Sequence, residues 1–366
     1  MSEATSLEDR AETMLGADEL LSHAEEEALA TAGTDDHAGD PGSLRDRLLK
    51  PQTIASFVIA IALAAFFIRR LDVNPAEVWK NARNANPFLF LMGFVVWYGT
   101  FFIRAYRWRQ MLSRVGIDRE HGHPVPGIVG IVEIFLLSWF ANCIVPAKLG
   151  DAYRSYLLKK ESKASFSTTL GTILAERLTD LVVLFAAMSA VGVLLFRGHV
   201  PDRVVQTFFF GLALIVVGVG AVTAMWFFRH ALQRRLPERV REQYGRLHDA
   251  VFACLRRPGG FLGISVLIWT GEGLRVLFVS WSLHAHVSFT AAMFIALMAS
   301  LLTTLPITPA GLGIVEGAIT TVLVRFMDMD SSLALSIALL DRVIGYWTVI
   351  LVGIVLSILR ARRGLV

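Results

Sequence analysis

Val145-Pro146-Ala147-Lys148-Leu149-Gly150-Asp151 breaks an apolar run that begins at Gly127, and Pro306-Ile307-Thr308-Pro309-Ala310-Gly311 breaks another that begins at Phe289. A short apolar piece follows each break, Phe166 to Ala175 in the first region and Ile314 to Arg325 in the second. Each region therefore reads as two half-helices joined by a Pro/Gly turn. Such backbone survives at membrane depth only when protein shields it or when it lines a wet cavity, because unpaired amides are costly in hydrocarbon. Both regions are expected to be re-entrant hairpins.

The rest of the chain agrees with a lipid setting. Hydrophobic residues make up 54% of it and charged residues 18%, against about 25% charged in an ordinary soluble domain. Mean hydropathy is +0.55. Six stretches approach the roughly 17 to 25 apolar residues that cross a bilayer: Gln52 to Ile68, Pro87 to Ile103, Leu178 to Phe196, Thr207 to Phe228, Phe261 to Leu283 and Ser332 to Leu359. The expected fold class is an all-α polytopic membrane protein with six transmembrane helices and two re-entrant hairpins. Two domains follow: an acidic cytosolic tail over 1–43, expected to be disordered, and a membrane domain over 44–366. A secretory signal is not expected, since the first residues lack the basic-then-apolar order of one.

Charge orients these spans. With the N-terminus inside, the expected cytoplasmic segments 45–50, 104–126, 146–167, 229–260 and 360–363 hold 24 Lys/Arg, and the external segments hold 7. That asymmetry is the one the positive-inside rule requires. A multi-pass protein of the cytoplasmic membrane with both termini cytoplasmic is expected. The net charge of +4 hides an acidic excess before residue 50 and a basic excess after it. Cys143 and Cys254 stand too far apart in sequence and setting to suggest a disulfide framework or a zinc site.

An internal repeat is visible. Pro146-Ala147-Lys148-Leu149-Gly150 and Pro309-Ala310-Gly311-Leu312-Gly313 share four of five residues, and Glu176-Arg177 and Asp341-Arg342 follow at similar distances. Repeat 1 is placed at about 87–196 and repeat 2 at about 261–359. The first begins outside and the second inside, the inverted arrangement of many secondary transporters.

Most basic residues lie in the tail, loops or membrane borders. The exceptions are Arg177, Arg275 and Arg342, which must face the bundle interior and find partners. Glu272 lies three residues before Arg275 and Asp180 three after Arg177, on shared helical faces, whereas Glu176 and Asp341 are expected to pair across helices. Two readings are open for this set: a polar cavity in which the arginines receive an anionic headgroup, or internal ion pairs that hold the bundle together. On the first reading the turns after Pro146 and Pro309 add backbone amides, and Lys148, Asp151 and Arg154 guard the cytoplasmic mouth.

Other patterns carry less. Gly311-Leu312-Gly313-Ile314-Val315-Glu316-Gly317 imitates a dinucleotide loop, but Glu316 replaces the third glycine and no βαβ unit surrounds it. His121/His123 and His284/His286 read as solvated loop histidines. Arg104, Arg107 and Arg109, with Tyr106 and Trp108, read as an anchoring belt of snorkelling cations and interfacial aromatics. The eight arginines of 229–257 suit a helix on anionic lipid, not nucleic-acid recognition.

The ordered elements Val145 to Arg154, Leu174-Ala175-Glu176-Arg177-Leu178-Thr179-Asp180, Thr308 to Glu316 and Asp341-Arg342-Val343-Ile344-Gly345-Tyr346 resemble the lysylphosphatidylglycerol synthase transmembrane, flippase-like domain family. The resemblance covers about residues 50 to 360. It implies a polytopic prokaryotic membrane protein with re-entrant hairpins, whose best-understood relatives translocate aminoacylated phosphatidylglycerol and whose others are linked to polyprenyl-lipid and glycan pathways. By matching positions, Gly150, Asp151, Arg154, Glu176, Arg177, Asp180, Glu316 and Arg342 line the implied path, and Lys148, Glu272, Arg275, Pro309, Gly311, Gly313 and Asp341 join them as candidate substrate-path residues. With no aminoacyl-transferase domain expected after Val366, lysylphosphatidylglycerol is not the assumed cargo.

The resulting expectation is a lipid flippase or transporter, not an enzyme, that moves a phospholipid or polyprenyl-linked headgroup. No cofactor and no metal are expected. Partners expected are membrane lipids, a cell-envelope biosynthetic enzyme and a second copy of the chain, with no nucleic acid. Two rivals differ in kind: a membrane-embedded enzyme that uses carboxylates and a divalent metal on polyprenyl phosphates, and a scaffold that binds a glycosyltransferase.

Overall fold

The computed structural model describes residues 73–144, 149–196, 202–229, 234, 236–256, 259–304 and 308–363. The acidic tail, the apolar run Gln52 to Ile68 and Lys148 lie outside the described residues. Lys50–Leu356 forms one compact unit; the other includes, among the described residues, only 357–363 at the end of the last helix. All regular structure among the described residues is helical.

The helices are α1 Pro75–Arg83, α2 Pro87–Arg114, α3 Ile128–Ile144, α4 Gly150–Ser162, α5 Phe166–Phe196, α6 Asp202–Phe227, α7 Glu238–Leu255, α8 Gly259–Ser282, α9 Phe289–Leu302, α10 Ile314–Met327, α11 Ser331–Arg342 and α12 Thr348–Arg362. Local sequence starts many of them. Asn74 accepts from Ala76 N at 3.0 Å ahead of Pro75, and Asn86 accepts from Phe88 N at 3.0 Å ahead of Pro87. Each asparagine satisfies an orphan amide, and each proline occupies the first helical position, where no N–H is needed. Ser288 and Asp330 cap α9 and α11 in the same way.

Among the described residues, five helices are long and apolar enough to cross a membrane: α2, α5, the 205–227 part of α6, α8, and the rod 331–362 made by α11 and α12. They match five of the six expected runs. The rod is interrupted by a π-turn over Val343–Trp347, immediately after Asp341-Arg342. Insertions of this kind widen a helix locally and concentrate at functional sites.

The apolar helices α3 and α9 have 17 and 14 residues. At about 1.5 Å per residue they reach roughly 26 and 21 Å, short of the ~30 Å hydrocarbon layer. Beyond α3 the fold departs from expectation. The partner of α3 is α4, and the piece 166–175 is not a separate half-helix but the first third of the 31-residue α5. The charges of Glu176, Arg177 and Asp180 do not break α5, because each is neutralised by another helix. In the second region the expected order holds: α9, a short 3-10 turn at Pro309–Gly311, then α10. Ala310, Gly311 and Gly313 there take φ of 47°, 72° and 83°, the left-handed region that reverses a chain and that glycine enters without strain.

Packing is closest where side chains are smallest. A Cβ on Gly150 would lie 2.1 Å from the Ser138 carbonyl, and one on Gly271 2.5 Å from Thr100 Cγ2. The first close approach seats α4 on α3, aided by Ser138 Oγ donating to Gly150 O at 2.7 Å and Gly150 N donating to Asn142 Oδ1 at 2.9 Å. The second seats α8 on α2. Without a hydrophobic drive between helices in lipid, such backbone approach and cross-helix polar contacts supply association. Large aromatics fill the remaining core, with Trp97, Phe101 and Trp139 edge-on at 5.0 to 5.8 Å.

Candidate functional site

The buried stripe of α2 contains Gly93, Trp97, Thr100, Phe101, Arg104 and Arg107. Recurrence at three and four residues points both arginines the same way as the tryptophan, into the bundle. Their partners come from distant helices. Arg104 donates to Glu272 Oε1 on α8 at 2.8 Å. Arg107 binds both oxygens of Asp180 on α5, one of them at 2.8 Å, and lies 3.1 Å from Glu176 Oε1. Ser265 Oγ on α8 accepts from Arg107 and donates to Asp180 Oδ1 at 3.0 Å.

The network extends to both sides. Arg154 on α4 donates to Glu176 Oε2 at 2.7 Å while its guanidinium rests on the rings of Phe135 and Trp108 at 4.3 and 4.6 Å. On the other side Arg275 on α8 binds Asp341 at 2.8 and 3.2 Å and Glu272 at 3.1 Å, and Trp97 Nε1 donates to Glu272 Oε2 at 3.2 Å. Arg104, Arg107, Arg154 and Arg275 thus face Glu176, Asp180, Glu272 and Asp341, four cations against four anions, all buried. A balanced set of this kind carries no net charge into hydrocarbon, and losing any single member would leave one uncompensated charge in the buried network.

Two further pairs differ. Arg177 on α5 grips Asp151, in the first turn of α4, with Nε at 2.9 Å and Nη2 at 2.6 Å. Both side chains remain partly open, at 41% and 26% exposure. Arg342, last residue of α11, places Nε 2.9 Å from Glu316 Oε1 in the first turn of α10, and both are buried at 10% and 11%. Glu316 Oε2 meanwhile accepts from Gly313 N at 2.6 Å. Arg342 Nη2 is the one terminal guanidinium nitrogen among the described residues that is buried without a hydrogen-bond partner.

Several expectations are revised by this geometry. Arg177 and Asp180 share a helical face but do not pair; each takes a partner from another helix, Asp151 and Arg107. Arg154 does not stand at a mouth but is among the most buried side chains, because its aliphatic stem and guanidinium fill the aromatic slot beside Glu176. Tyr106 and Arg109 are exposed, whereas Arg104, Arg107 and Trp108 are core residues and do not form the expected belt. Glu272 and Arg275 do pair along their helix, and Glu176 and Asp341 do pair across helices. Gly150 opens α4, Gly313 precedes α10, and Gly311 shares a 3-10 turn with Pro309. Arg104, Arg107 and Ser265 were missed, although the helical spacing of the arginines with Trp97 and Gly93 was a usable signal.

Outside the spans, the α2–α3 loop is fixed by polar contacts of its own. Asp118 accepts from the His121 ring at 2.6 Å and from Ser113 Oγ at 2.7 Å, which together hold its carboxyl down at about 2 and push His121 upward. His123 Nδ1 lies 3.1 Å from the Ser162 carbonyl and ties this loop to the end of α4. Along α7, the exposed arginines alternate with acids, as in Arg241–Glu238 and Arg246–Glu242, while His248, Val251 and Cys254 pack inward.

Comparison with known proteins places this arrangement. Residues 53–353 match the model of the lysylphosphatidylglycerol synthase TM region. The chain is similar to the UPF0104 membrane protein MJ1078 of Methanocaldococcus jannaschii, 32% identical over 219 residues, covering 59% of this chain and 92% of that protein. A UPF0104 membrane protein of Methanothermobacter thermautotrophicus is 24% identical over 323 residues, 82% of this chain and 93% of the relative. The glycosyltransferase AglD of Haloferax volcanii is 22% identical over 341 residues, 82% of this chain but 53% of AglD. The match runs from ahead of α1 into the start of α12 and includes every ion pair described above, so this multi-pass membrane protein belongs to the lysylphosphatidylglycerol synthase TM region family.

Proposed function

We propose that the protein carries the phosphate-bearing headgroup of a lipid across the membrane, with the acyl chains remaining in the bilayer. The cargo class is a phospholipid or a polyprenyl-linked lipid. The observation that carries this reading is Arg342: a buried guanidinium with a free Nη2, against a carboxylate that is itself shared with the Gly313 amide. A phosphate oxygen satisfies that nitrogen and matches the forked geometry of arginine. Arg177, held by an accessible carboxylate, offers the same chemistry nearer to solvent. Exchange of Asp151 for a phosphate on Arg177 replaces one anion by another, so no bare charge enters the hydrocarbon.

The architecture proposed with it is six spans and two re-entrant hairpins in an inverted repeat, in the cytoplasmic membrane with both termini inside. Pairing supports the repeat beyond the shared turn motif. Glu176 and Asp341 each fall ten residues after the starts of the long rods at Phe166 and Ser331. Arg107 of α2 and Arg275 of α8 each bind the acid of that dipeptide, and Arg177 and Arg342 each bind an acid in the first turn of the preceding helix, α4 or α10. Three residues before Arg107 and Arg275, Arg104 and Glu272 meet each other, where a two-fold axis between α2 and α8 would pass.

Reconstitution into liposomes with headgroup-labelled lipids tests the function. Headgroup-selective movement without added metal, lost in Arg342→Gln and Arg177→Gln, is the expected result. The similarity to AglD favours a second reading, an enzyme or accessory subunit acting on polyprenyl-linked glycans. It is supported instead if glycosylated product forms and movement is absent. Engagement of Glu176, Asp180, Glu272 and Asp341 by arginines speaks against their service as catalytic bases.

A further inference from the structure

The two arginine pairs outside the balanced network occupy equivalent places but are not in equivalent states. Asp151 and Glu316 lie in the first turns of α4 and α10, just after Gly150 and Gly313. Four residues on, Ser155 Oγ donates to the Asp151 carbonyl at 3.2 Å and Thr320 Oγ1 to the Glu316 carbonyl at 2.7 Å, so the correspondence continues through the next turn. Their arginines are the twelfth residues of matching rods. They differ in exposure, 41% and 26% for Arg177 and Asp151 against 10% and 11% for Arg342 and Glu316, and in pairing, since Arg177 grips Asp151 with two nitrogens while Arg342 keeps Nη2 unpartnered; the acids also stand at different offsets, one residue after Gly150 and three after Gly313.

From this we infer that the path contains two phosphate-binding stations, Arg177–Asp151 and Arg342–Glu316, which open alternately, the open form of one requiring the closed form of the other. The inference rests on the headgroup-carrier reading and adds to it the number of stations and their coupling. When two halves of one chain share a fold, the conformation seen in either half is accessible to its counterpart, and exchanging them exposes the opposite station. The balanced network at the α2–α8 contact supplies a rigid centre about which the exchange can occur, since its ion pairs link both halves and leave no member uncompensated. The π-turn after Arg342 places the looser helical hydrogen bonding next to the closed station.

Each carboxylate latch is worth most in the closed form of its own station, where a stranded charge is buried. Removing Asp151 or Arg177 therefore penalises the state in which the first station is closed and the second open. Removing Glu316 penalises the present state. Thr320, fully buried on α10, reports the second station. In a full-length Cys143→Ser, Cys254→Ser background carrying Thr320→Cys, maleimide labelling in phosphatidylcholine nanodiscs measures how often that station opens.

Asp151→Asn is expected to slow this labelling about fivefold or more, and Glu316→Gln to accelerate it by a similar factor. Arg177→Gln gives the same direction as Asp151→Asn and serves if that variant fails to fold. Labelling unchanged within about twofold by both first-station variants would mean independent stations and overturn the inference, as would a Thr320→Cys that labels only on unfolding. Adding phosphatidylglycerol to the nanodisc should shift the rate in the parent and not in Arg177→Gln; no shift in either rejects the phosphate assignment. Lipid movement without coupling keeps the carrier reading and removes this one, whereas coupling without lipid movement does the reverse.

Discussion

The centre of the bundle and its two flanking arginine pairs use the same residue types to opposite ends. Arg104, Arg107, Arg154 and Arg275 are matched in charge by four carboxylates within one shared network, braced by Ser265, Trp97 and the rings around Arg154, and buried. Arg177 and Arg342 each have one carboxylate, one pair partly open and the other with an unused nitrogen. Intramembrane charge is therefore not one signal. Charge shared through a balanced network fixes helices against each other, and an arginine in an isolated pair is left able to take another anion.

The sharpest way to break this contrast is to remove one member of the centre. Arg107→Leu leaves Asp180 and Glu176 facing each other without their shared cation, a loss of about 3 to 5 kcal/mol for a broken buried pair. A large fall in melting temperature by fluorescence-detected size exclusion is expected, with partial recovery in Arg107→Leu, Asp180→Leu. Absence of recovery would mean that the lost stability does not come from the stranded carboxylate, and lipid movement in the folded double variant reads whether the centre has a transport role of its own.

Next in size is the flanking arginine. Arg177→Gln breaks one partly exposed pair and should cost clearly less stability than Arg107→Leu, yet reduce headgroup movement about tenfold or more. Equal losses of stability and movement would erase the distinction between centre and flank. Gly150→Ala acts through geometry instead: its Cβ would fall on the Ser138 carbonyl, so α4 must lift from α3 at a cost of about 1 to 3 kcal/mol. Thermal melting reads the cost, and faster alkylation of the buried Cys143 at the end of α3 reads the separation.

The smallest effect lies outside the membrane. Asp118 is held down at about 2, so its contribution is present above its ordinary value near 3.8 and fades as pH falls toward 2. His121 is raised, so its contribution is present below about 6.5 and fades as pH rises through its folded value. The loop 115–127 should resist proteolysis best between about pH 4 and 6.5, and Asp118→Asn should flatten that profile while leaving lipid movement unchanged.

Much of this molecule could be read residue by residue. Apolar runs reveal spans because every backbone amide in hydrocarbon must be satisfied within its own helix. The Pro/Gly turn at Pro309–Gly311 and the two acid-Arg dipeptides are local features, and local chemistry makes them legible. The assignment of partners is not local. Arg107 reaches Asp180 across 73 residues and Arg104 reaches Glu272 across 168, so the belt of α2 and the core of α2 look alike until the helices are packed. The continuity of α5 through Glu176, Arg177 and Asp180 has the same origin, since only other helices supply the charges that let it pass. By itself the sequence determined that the chain crosses the membrane and carries charge inside it. Tertiary structure decided which of those charges are spent on one another and which remain available, because a cation's free valence depends on how many anions the fold brings within about 3 Å of it.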